Sequence, residues 1–376
     1  MKKLSAIIFA AILLLTACGE KSGTFPQSGE PTGSDGISEA ASGEIQSDGA
    51  EYDGKRYGPS MAISNDGELF VDSQVRLNFF DFSIMDSVLI CSKPNCRHDT
   101  HDCSSYGMDI DPFIYNGNIY FFEADSYMKK DKPVYNMNFI RADIDGTNRK
   151  VLLTLEDMED SSDCLLIDST LYFGMRTHEY TDLSLDHSEP TAKLFSYDLE
   201  SGQLSELFSM KKGYSCAIQI DGEYNGEIYF TVSYLEEKFV YDPNNIPTSL
   251  RETFKYNRQN SEISERDGDY YPCECGLVHY EDEGATFYTE DGKEIYIPDI
   301  TQNSTYVSII DGYIIDGENR FAVEISSGDR YAVSGIDKYD DIIYYLDGSY
   351  IVKRLNKDSG QYEYRKIAKN ELFSEE

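Results

Sequence analysis

One short strand pattern recurs along the chain, and it restricts the fold more than any other feature. A polar turn is followed each time by alternating aliphatic and aromatic residues, and Asp-Gly or Asn-Gly pairs such as Asn116-Gly117 and Asp311-Gly312 separate the strands. These dipeptides tolerate the positive φ values of tight hairpins. The copies are Glu68–Val71, Asn118–Phe121, Thr170–Phe173, Glu227–Phe230, Thr286–Tyr288, Tyr313–Ile315 and Ile342–Tyr345.

Strands that return every 40–50 residues or so are typical of a β-propeller, in which each blade packs against its neighbours. The recurrence predicts an all-β fold with seven blades, although six or eight blades also fit the irregular spacing of the last units. Two β-sandwiches are the main alternative, but they would not explain the repetition. The predicted units begin near Tyr57, Asp111, Cys164, Tyr214, Tyr270, Tyr306 and Asp337.

Two segments carry a family resemblance. Arg141 to Asn148 reads Arg-Ala-Asp-Ile-Asp-Gly-Thr-Asn, and Cys91 to His98 reads Cys-Ser-Lys-Pro-Asn-Cys-Arg-His. With the repeated strands, they make the chain resemble TolB-like β-propeller lipoproteins of unknown function from Gram-positive bacteria. The resemblance covers nearly all of the predicted propeller. It implies an architecture and a location, but no settled activity.

The N-terminus carries a lipoprotein signal. Lys2 and Lys3 precede an apolar run, and the run ends in Leu15-Thr16-Ala17-Cys18. The apolar stretch is shorter than a membrane span. We therefore expect residues 1–17 to be a signal peptide and Cys18 to carry a lipid. This predicts a protein held at the cell membrane on its extracytoplasmic side.

The segment after Cys18 has a composition that cannot form a core. Residues 18–55 are rich in Gly, Ser, Glu and Pro and contain almost no apolar side chains. Such a linker is a flexible tether, with a reach of about 30–35 Å. The propeller domain is then predicted to occupy residues 56–376.

Charge excludes one class of partner. The chain has 68 acidic and 33 basic residues and a net charge of −35, which becomes −37 when the signal removes Lys2 and Lys3. A chain this acidic does not attract nucleic acid through a general field. Contact with the membrane is expected only through the lipid on Cys18.

Four potential metal ligands lie close together in the sequence: Cys91, Cys96, His98 and Cys103. Three thiolates and one imidazole are a ligand set for tetrahedral zinc, although the spacing differs from the usual zinc-binding patterns. A disulfide-closed loop is equally compatible with an exported protein, and unpaired thiols are a third alternative. The residues alone leave these three readings open, so zinc is a possible cofactor.

The remaining cysteines are predicted to lie at the mouth of the central channel. Cys164, Cys216, Cys273 and Cys275 stand near the start of an innermost strand, and the Cys91–Cys103 segment leads into another. All seven should then share one face. The longest insertions, at about 125–135, 177–190 and 236–249, connect second and third strands and emerge on the same face. A face that combines a rigid scaffold with long loops is the usual place for a binding site.

No motif assembles a catalytic set. The sequence contains no Gly-x-Ser-x-Gly, no His-Glu-x-x-His and no phosphate-binding loop. The sequence therefore favours a non-catalytic binding or protein-interaction scaffold, with an unknown protein or glycan ligand at the loop-rich face. Two alternatives stay open: a glycan-active propeller enzyme (a glycosidase or a lyase), and a metal or thiol site on the cysteine-bearing face.

Overall fold

The computed structural model describes most of residues 61–375. Its longer gaps are 161–163, 178–188, 238–248 and 301–306, and its shorter ones are 65, 73, 99, 101–102, 108–109, 130–131, 267, 269, 274, 282, 299, 358 and 360. The signal peptide, Cys18 and the tether lie outside the described residues, as does the predicted start of the first unit near Tyr57.

The described strands form seven antiparallel sheets, and these are the seven blades of a closed β-propeller, as predicted. Most strands pair with the next strand in the sequence, so most blades are antiparallel meanders. Blade 1 contains β1 (Gly67–Val71), β2 (Leu77–Asp81) and β3 (Asp86–Leu89); blade 2 contains β4 (Ile110–Tyr115), β5 (Asn118–Lys129), β6 (Lys132–Asp143) and β7 (Lys150–Glu156); blade 3 contains β8 (Met158–Asp160), β9 (Leu165–Ile167), β10 (Thr170–Thr177), β11 (Thr191–Asp198) and β12 (Leu204–Lys211).

The last four blades follow the same plan. Blade 4 contains β13 (Tyr214–Tyr224), β14 (Glu227–Leu235), β15 (Leu250–Asn257) and β16 (Ile263–Glu265); blade 5 contains β17 (Tyr270–Cys273), β18 (Gly276–Tyr280), β19 (Ala285–Thr289) and β20 (Glu294–Ile297); blade 6 contains β21 (Val307–Ile310), β22 (Tyr313–Asp316), β23 (Phe321–Glu324) and β24 (Arg330–Val333); blade 7 contains β25 (Asp340–Leu346), β26 (Ser349–Asn356) and β27 (Gln361–Ala368). The short helix α1 (Lys369–Leu372) follows, and β28 (Phe373–Glu375) then pairs with β24 of blade 6.

The core lies between the blades. The recurring aromatic residues explain this, because they project from a blade toward the blades on either side of it. Phe122 of blade 2 and Phe173 of blade 3, for example, have ring centroids 5.2 Å apart. Similar clusters join blades 3 and 4, 5 and 6, and 6 and 7.

Side chains also join the last blade to the first. Tyr364 of blade 7 stacks on Phe80 of blade 1 with ring centroids 3.7 Å apart, and Lys353 forms an ion pair with Glu68. This contact closes the ring. Within the described residues, no helix is long and apolar enough to cross a membrane.

Candidate metal centre

The segment that holds Cys91, Cys96, His98 and Cys103 connects β3 of blade 1 to β4 of blade 2, as the sequence predicted. Its far end is fixed to blade 1. The backbone N–H of Leu77 donates to the carbonyl of Ser105 over 2.8 Å, and Arg76 forms an isolated β-bridge with Tyr106. Residues 105 and 106 are therefore attached to the second strand of blade 1 and to the residue before it.

The turn between β6 and β7 supports the other side of the segment. The Ser92 hydroxyl donates to the Asp145 carboxylate over 2.7 Å. Arg149 donates to the backbone carbonyls of Ser104 and Tyr106 over 2.8 and 2.7 Å. Gly146 is required here, because it has a φ of +77° and a Cβ would lie 2.4 Å from the Ser104 carbonyl oxygen. The segment thus bridges blades 1 and 2.

The four predicted ligands converge. One ligand atom from each of Cys91, Cys96, His98 and Cys103 lies within 4.8 Å of all the others. Zinc with thiolate ligands at about 2.3 Å requires sulfur atoms about 3.8 Å apart, so only small rotations separate this arrangement from a tetrahedral site. None of the seven cysteines in the described part of the chain is joined in a disulfide. The cluster could bind a metal.

The backbone has an unusual conformation at two residues of this segment, of which one is a predicted ligand. Asn95 and His98 have φ values of 60° and 56°, in the left-handed region. Asn tolerates this region well, but His adopts it only where the surroundings compensate for the strain. His98 lies with its Nδ1 atom 3.2 Å from Cys103 Sγ, and Cys103 Sγ is 3.0 Å from the Ser105 hydroxyl. The strained turn therefore places the imidazole beside the buried thiol.

The surroundings shift the pKa values of two of the thiols in opposite directions. Burial works to raise the pKa of Cys91, but hydrogen bonds from Ser104, the Lys93 backbone and Cys103 outweigh it and lower the pKa. For Cys96 the net effect is a raised pKa. A hydrogen bond with the His98 backbone lowers it, but desolvation and the neighbouring thiols of Cys103 and Cys91 outweigh this effect. A cation among the four groups would favour the thiolate form of all three cysteines.

Cys164 and Cys216, which the sequence predicts at the channel mouth, are both buried between blades. Cys164 directly precedes β9 and packs in the core between blades 2 and 3. Cys216 lies in β13 and packs between blades 3 and 4 with its side chain wholly buried. Both stand near the start of an innermost strand as expected, but there they face a neighbouring blade. They belong to the core.

The prediction for Cys273 and Cys275 needs a different correction. Cys273 is the last residue of β17, and Cys275 lies in the turn that leads to β18. They stand at the end of their innermost strand, because β17 is only four residues long. The seven cysteines therefore do not share one face of the ring.

Carboxylates with a raised pKa do not form a pair. Among the described residues, burial raises the pKa of Asp221 in blade 4 and of Asp341 in blade 7. Asp221 accepts hydrogen bonds from Thr231 and Arg266 over 2.8 and 3.2 Å. The two carboxylates lie in the first strands of different blades, and Asp221 is paired with Arg266.

No protein-family model matches the chain, and no curated protein sequence matches it. Similar solved structures include an oligogalacturonate lyase from Vibrio parahaemolyticus (TM-score 0.47, 11% identity, covering 84% of this chain and 90% of that one). They also include TolB from Acinetobacter baumannii (0.32, 12%, 86% and 63%) and BamB from Moraxella catarrhalis (0.33, 12%, 70% and 68%).

The β-propeller architecture that the resemblance implied is shown by the seven sheets of this chain. At such identities and scores, the activities of these proteins are properties of those proteins alone. The lipoprotein class and the Gram-positive source stay predictions from the sequence.

Proposed function

We propose that this protein is a lipid-anchored, extracytoplasmic propeller that acts as a non-catalytic binding scaffold for a protein or a glycan. The signal sequence that ends at Cys18 supports the location, and the polar tether supports a propeller held about 30–35 Å from the lipid. The strongly acidic composition supports a soluble surface that stays clear of anionic headgroups.

The hairpin of β5 and β6 carries the binding part of the proposal. Its last four residue pairs, from Ser126–Tyr135 to Lys129–Lys132, extend beyond the residues that pair with β4 and β7. Tyr127 on this extension is 44% exposed. An exposed aromatic side chain on a projecting hairpin is a typical anchor for a partner. The corresponding connections of blades 3 and 4 fall mostly outside the described residues.

Photo-crosslinking in intact cells tests this role. A photoreactive amino acid replaces Tyr127 in one variant and Val151 in another. Val151 is 51% exposed on the outer strand β7, so it is a matched control. The proposal predicts discrete adducts at position 127 and none at position 151. Equal adducts at both positions would contradict it, and Cys18→Ala should abolish both membrane retention and the adducts.

We further propose that the metal of the Cys91–Cys103 segment is zinc. Three cysteines and one histidine support this choice, because zinc prefers sulfur and nitrogen donors in a tetrahedral arrangement. Four protein ligands complete the coordination shell and leave no position for substrate, so the role would be structural. The metal would stabilise the segment between blades 1 and 2 that the β6–β7 turn supports.

A further inference from the structure

Two cysteines that the proposed zinc site does not use lie against each other in blade 5. Cys273 and Cys275 flank the turn between β17 and β18, and their Sγ atoms are 3.4 Å apart. Main-chain contacts fix both sides of this turn. Cys273 pairs with Gly276 across the hairpin, and the Cys275 carbonyl accepts a hydrogen bond from the Glu290 backbone over 3.1 Å.

Gly276 makes this tight turn feasible. It has a φ of +139°, and a Cβ at this position would lie 2.1 Å from the backbone oxygen of Tyr288. No other residue fits there without displacing β19. Gly276 therefore lets β18 approach β19 closely directly after Cys275. A disulfide needs sulfur atoms about 2.05 Å apart, and rotation of the two side chains can supply the difference.

The two thiols differ in their access to solvent. Cys273 is 8% exposed and packs in the core between blades 5 and 6 with Val278, Ala285 and Phe287. Cys275 is only partly buried and lines a surface cavity of about 560 Å³. Lys293 and Lys369 also line this cavity, and each forms an ion pair there, with Asp291 and Asp311 respectively. A molecule that enters from solvent would meet Cys275 first.

The pKa of Cys273 agrees with this difference in access. The hydrogen bond with Cys275, together with burial, raises the pKa of Cys273 far above its ordinary value. Cys273 therefore stays protonated when a neighbouring sulfur is a thiolate. The thiolate is the nucleophile in disulfide chemistry, and Cys275 is the one of the two cysteines that a molecule in the cavity can reach.

We propose that Cys273 and Cys275 form a thiol–disulfide exchange site, with Cys275 as the attacking thiol and Cys273 as the resolving thiol. The Cys275 thiolate attacks one sulfur of a small disulfide, forms a mixed disulfide and releases the first thiolate. Cys273 then gives up its proton and attacks Cys275 Sγ, which releases the second thiolate. The two cysteines lose two electrons and two protons in total, and the small disulfide is reduced to two thiols.

This site does not depend on the proposed zinc centre or on the binding role. The other cysteines provide internal controls. Cys164 and Cys216 are buried in separate blade interfaces, and Cys91, Cys96 and Cys103 converge on His98. The Sγ atoms of Cys273 and Cys275 are in contact, Cys275 lines a cavity, and neither belongs to the cluster around His98.

The proposal is tested on the detergent-solubilised protein. It is incubated with oxidised glutathione and alkylated, and its peptides are then mapped by mass spectrometry. We expect the wild type to lose two hydrogens from the peptide that contains both cysteines. Cys273→Ser should retain one glutathione on Cys275, because the resolving thiol is missing. Cys275→Ser should carry none on Cys273, and Cys216→Ser should behave as the wild type.

Two results would overturn the proposal. One is full alkylation of both cysteines in the wild type after oxidation. The other is glutathione on Cys273 of Cys275→Ser in the same yield as on Cys275 of Cys273→Ser, which would show that the two thiols do not have distinct roles. Circular dichroism of each variant confirms that it is folded. Cys96→Ser should exchange normally, so a failed zinc site and a failed thiol site give different results.

Discussion

At the scale of single residues, Asp340 is a buried carboxylate at the start of blade 7 that is paired with two arginines. Its carboxylate is fully buried and accepts hydrogen bonds from Arg354 over 2.6 and 2.7 Å. Arg365 of the next strand is a second ion-pair partner. Burial alone would raise the pKa of Asp340, but the hydrogen bonds and charges of the two arginines lower it below its ordinary value. The ionised form therefore stabilises the fold.

We predict that Asp340→Asn lowers the free energy of unfolding by about 2–3 kcal/mol at pH 7. A lowered pKa in the folded state stabilises the protein above the ordinary pKa of about 3.9, and this contribution is lost as the pH falls through the folded value. The difference between wild type and variant should thus shrink below about pH 4. Urea unfolding at pH 7 and pH 3 measures it, with the exposed Asp329→Asn as control. An equal difference at both pH values would contradict the assignment.

The sequence predicted the residues of the metal cluster, but it did not predict the residues of blade 2 that form hydrogen bonds with the segment. Short spacing identified Cys91, Cys96, His98 and Cys103, because ligands near in sequence can converge without knowledge of the fold. Asp145 and Arg149 lie more than forty residues later. Their role depends on how two blades meet, and the sequence carries no local signal for that.

The contact between Cys273 and Cys275 could have been predicted from the sequence, but the position of the two residues in their strand was predicted incorrectly. Cys-Glu-Cys-Gly from 273 to 276 places two thiols next to a glycine, which is the composition of a tight turn. The unit boundary near Tyr270 was correct, but the length of β17 was not predicted. Because β17 has only four residues, Cys273 lies at its end and not near its start.

At the scale of elements, the C-terminus adopts a pairing that the repeat does not predict. After β27 the chain forms α1, and β28 then adds to the edge of blade 6 instead of blade 7. Leu372 in α1 is fully buried beside Ile336 and Ile367. The Ser334 backbone N–H also donates to the Leu372 carbonyl over 2.9 Å. This short segment therefore joins the last two blades.

We predict that Leu372→Ala lowers the free energy of unfolding by about 2–4 kcal/mol, because it leaves a cavity between two blades. Leu355→Ala is the control, since Leu355 is 48% exposed and its loss should change stability by less than about 0.5 kcal/mol. Chemical denaturation of both variants measures the difference. Equal stabilities would show that the C-terminal segment does not contribute to the fold.

At the scale of the whole molecule, the number of blades was predictable and the way the ring closes was not. Each blade repeats the same aromatic strand because each must bury the same kind of face. Within the described residues, no strand pair links blade 7 to blade 1, and stacked rings such as Phe80 and Tyr364 make that contact. Single side chains of this kind carry no periodic signal in the sequence.

The segment between blades 1 and 2 is the other distinctive connection of the ring, and we propose that it binds zinc. Elemental analysis and native mass spectrometry of the purified protein test this most directly. We predict one zinc per chain in the wild type and in the buried-thiol control Cys216→Ser, and loss of that zinc in Cys96→Ser with the circular dichroism spectrum retained. A wild-type protein that takes up no zinc, with two of Cys91, Cys96 and Cys103 joined in a disulfide, would contradict it.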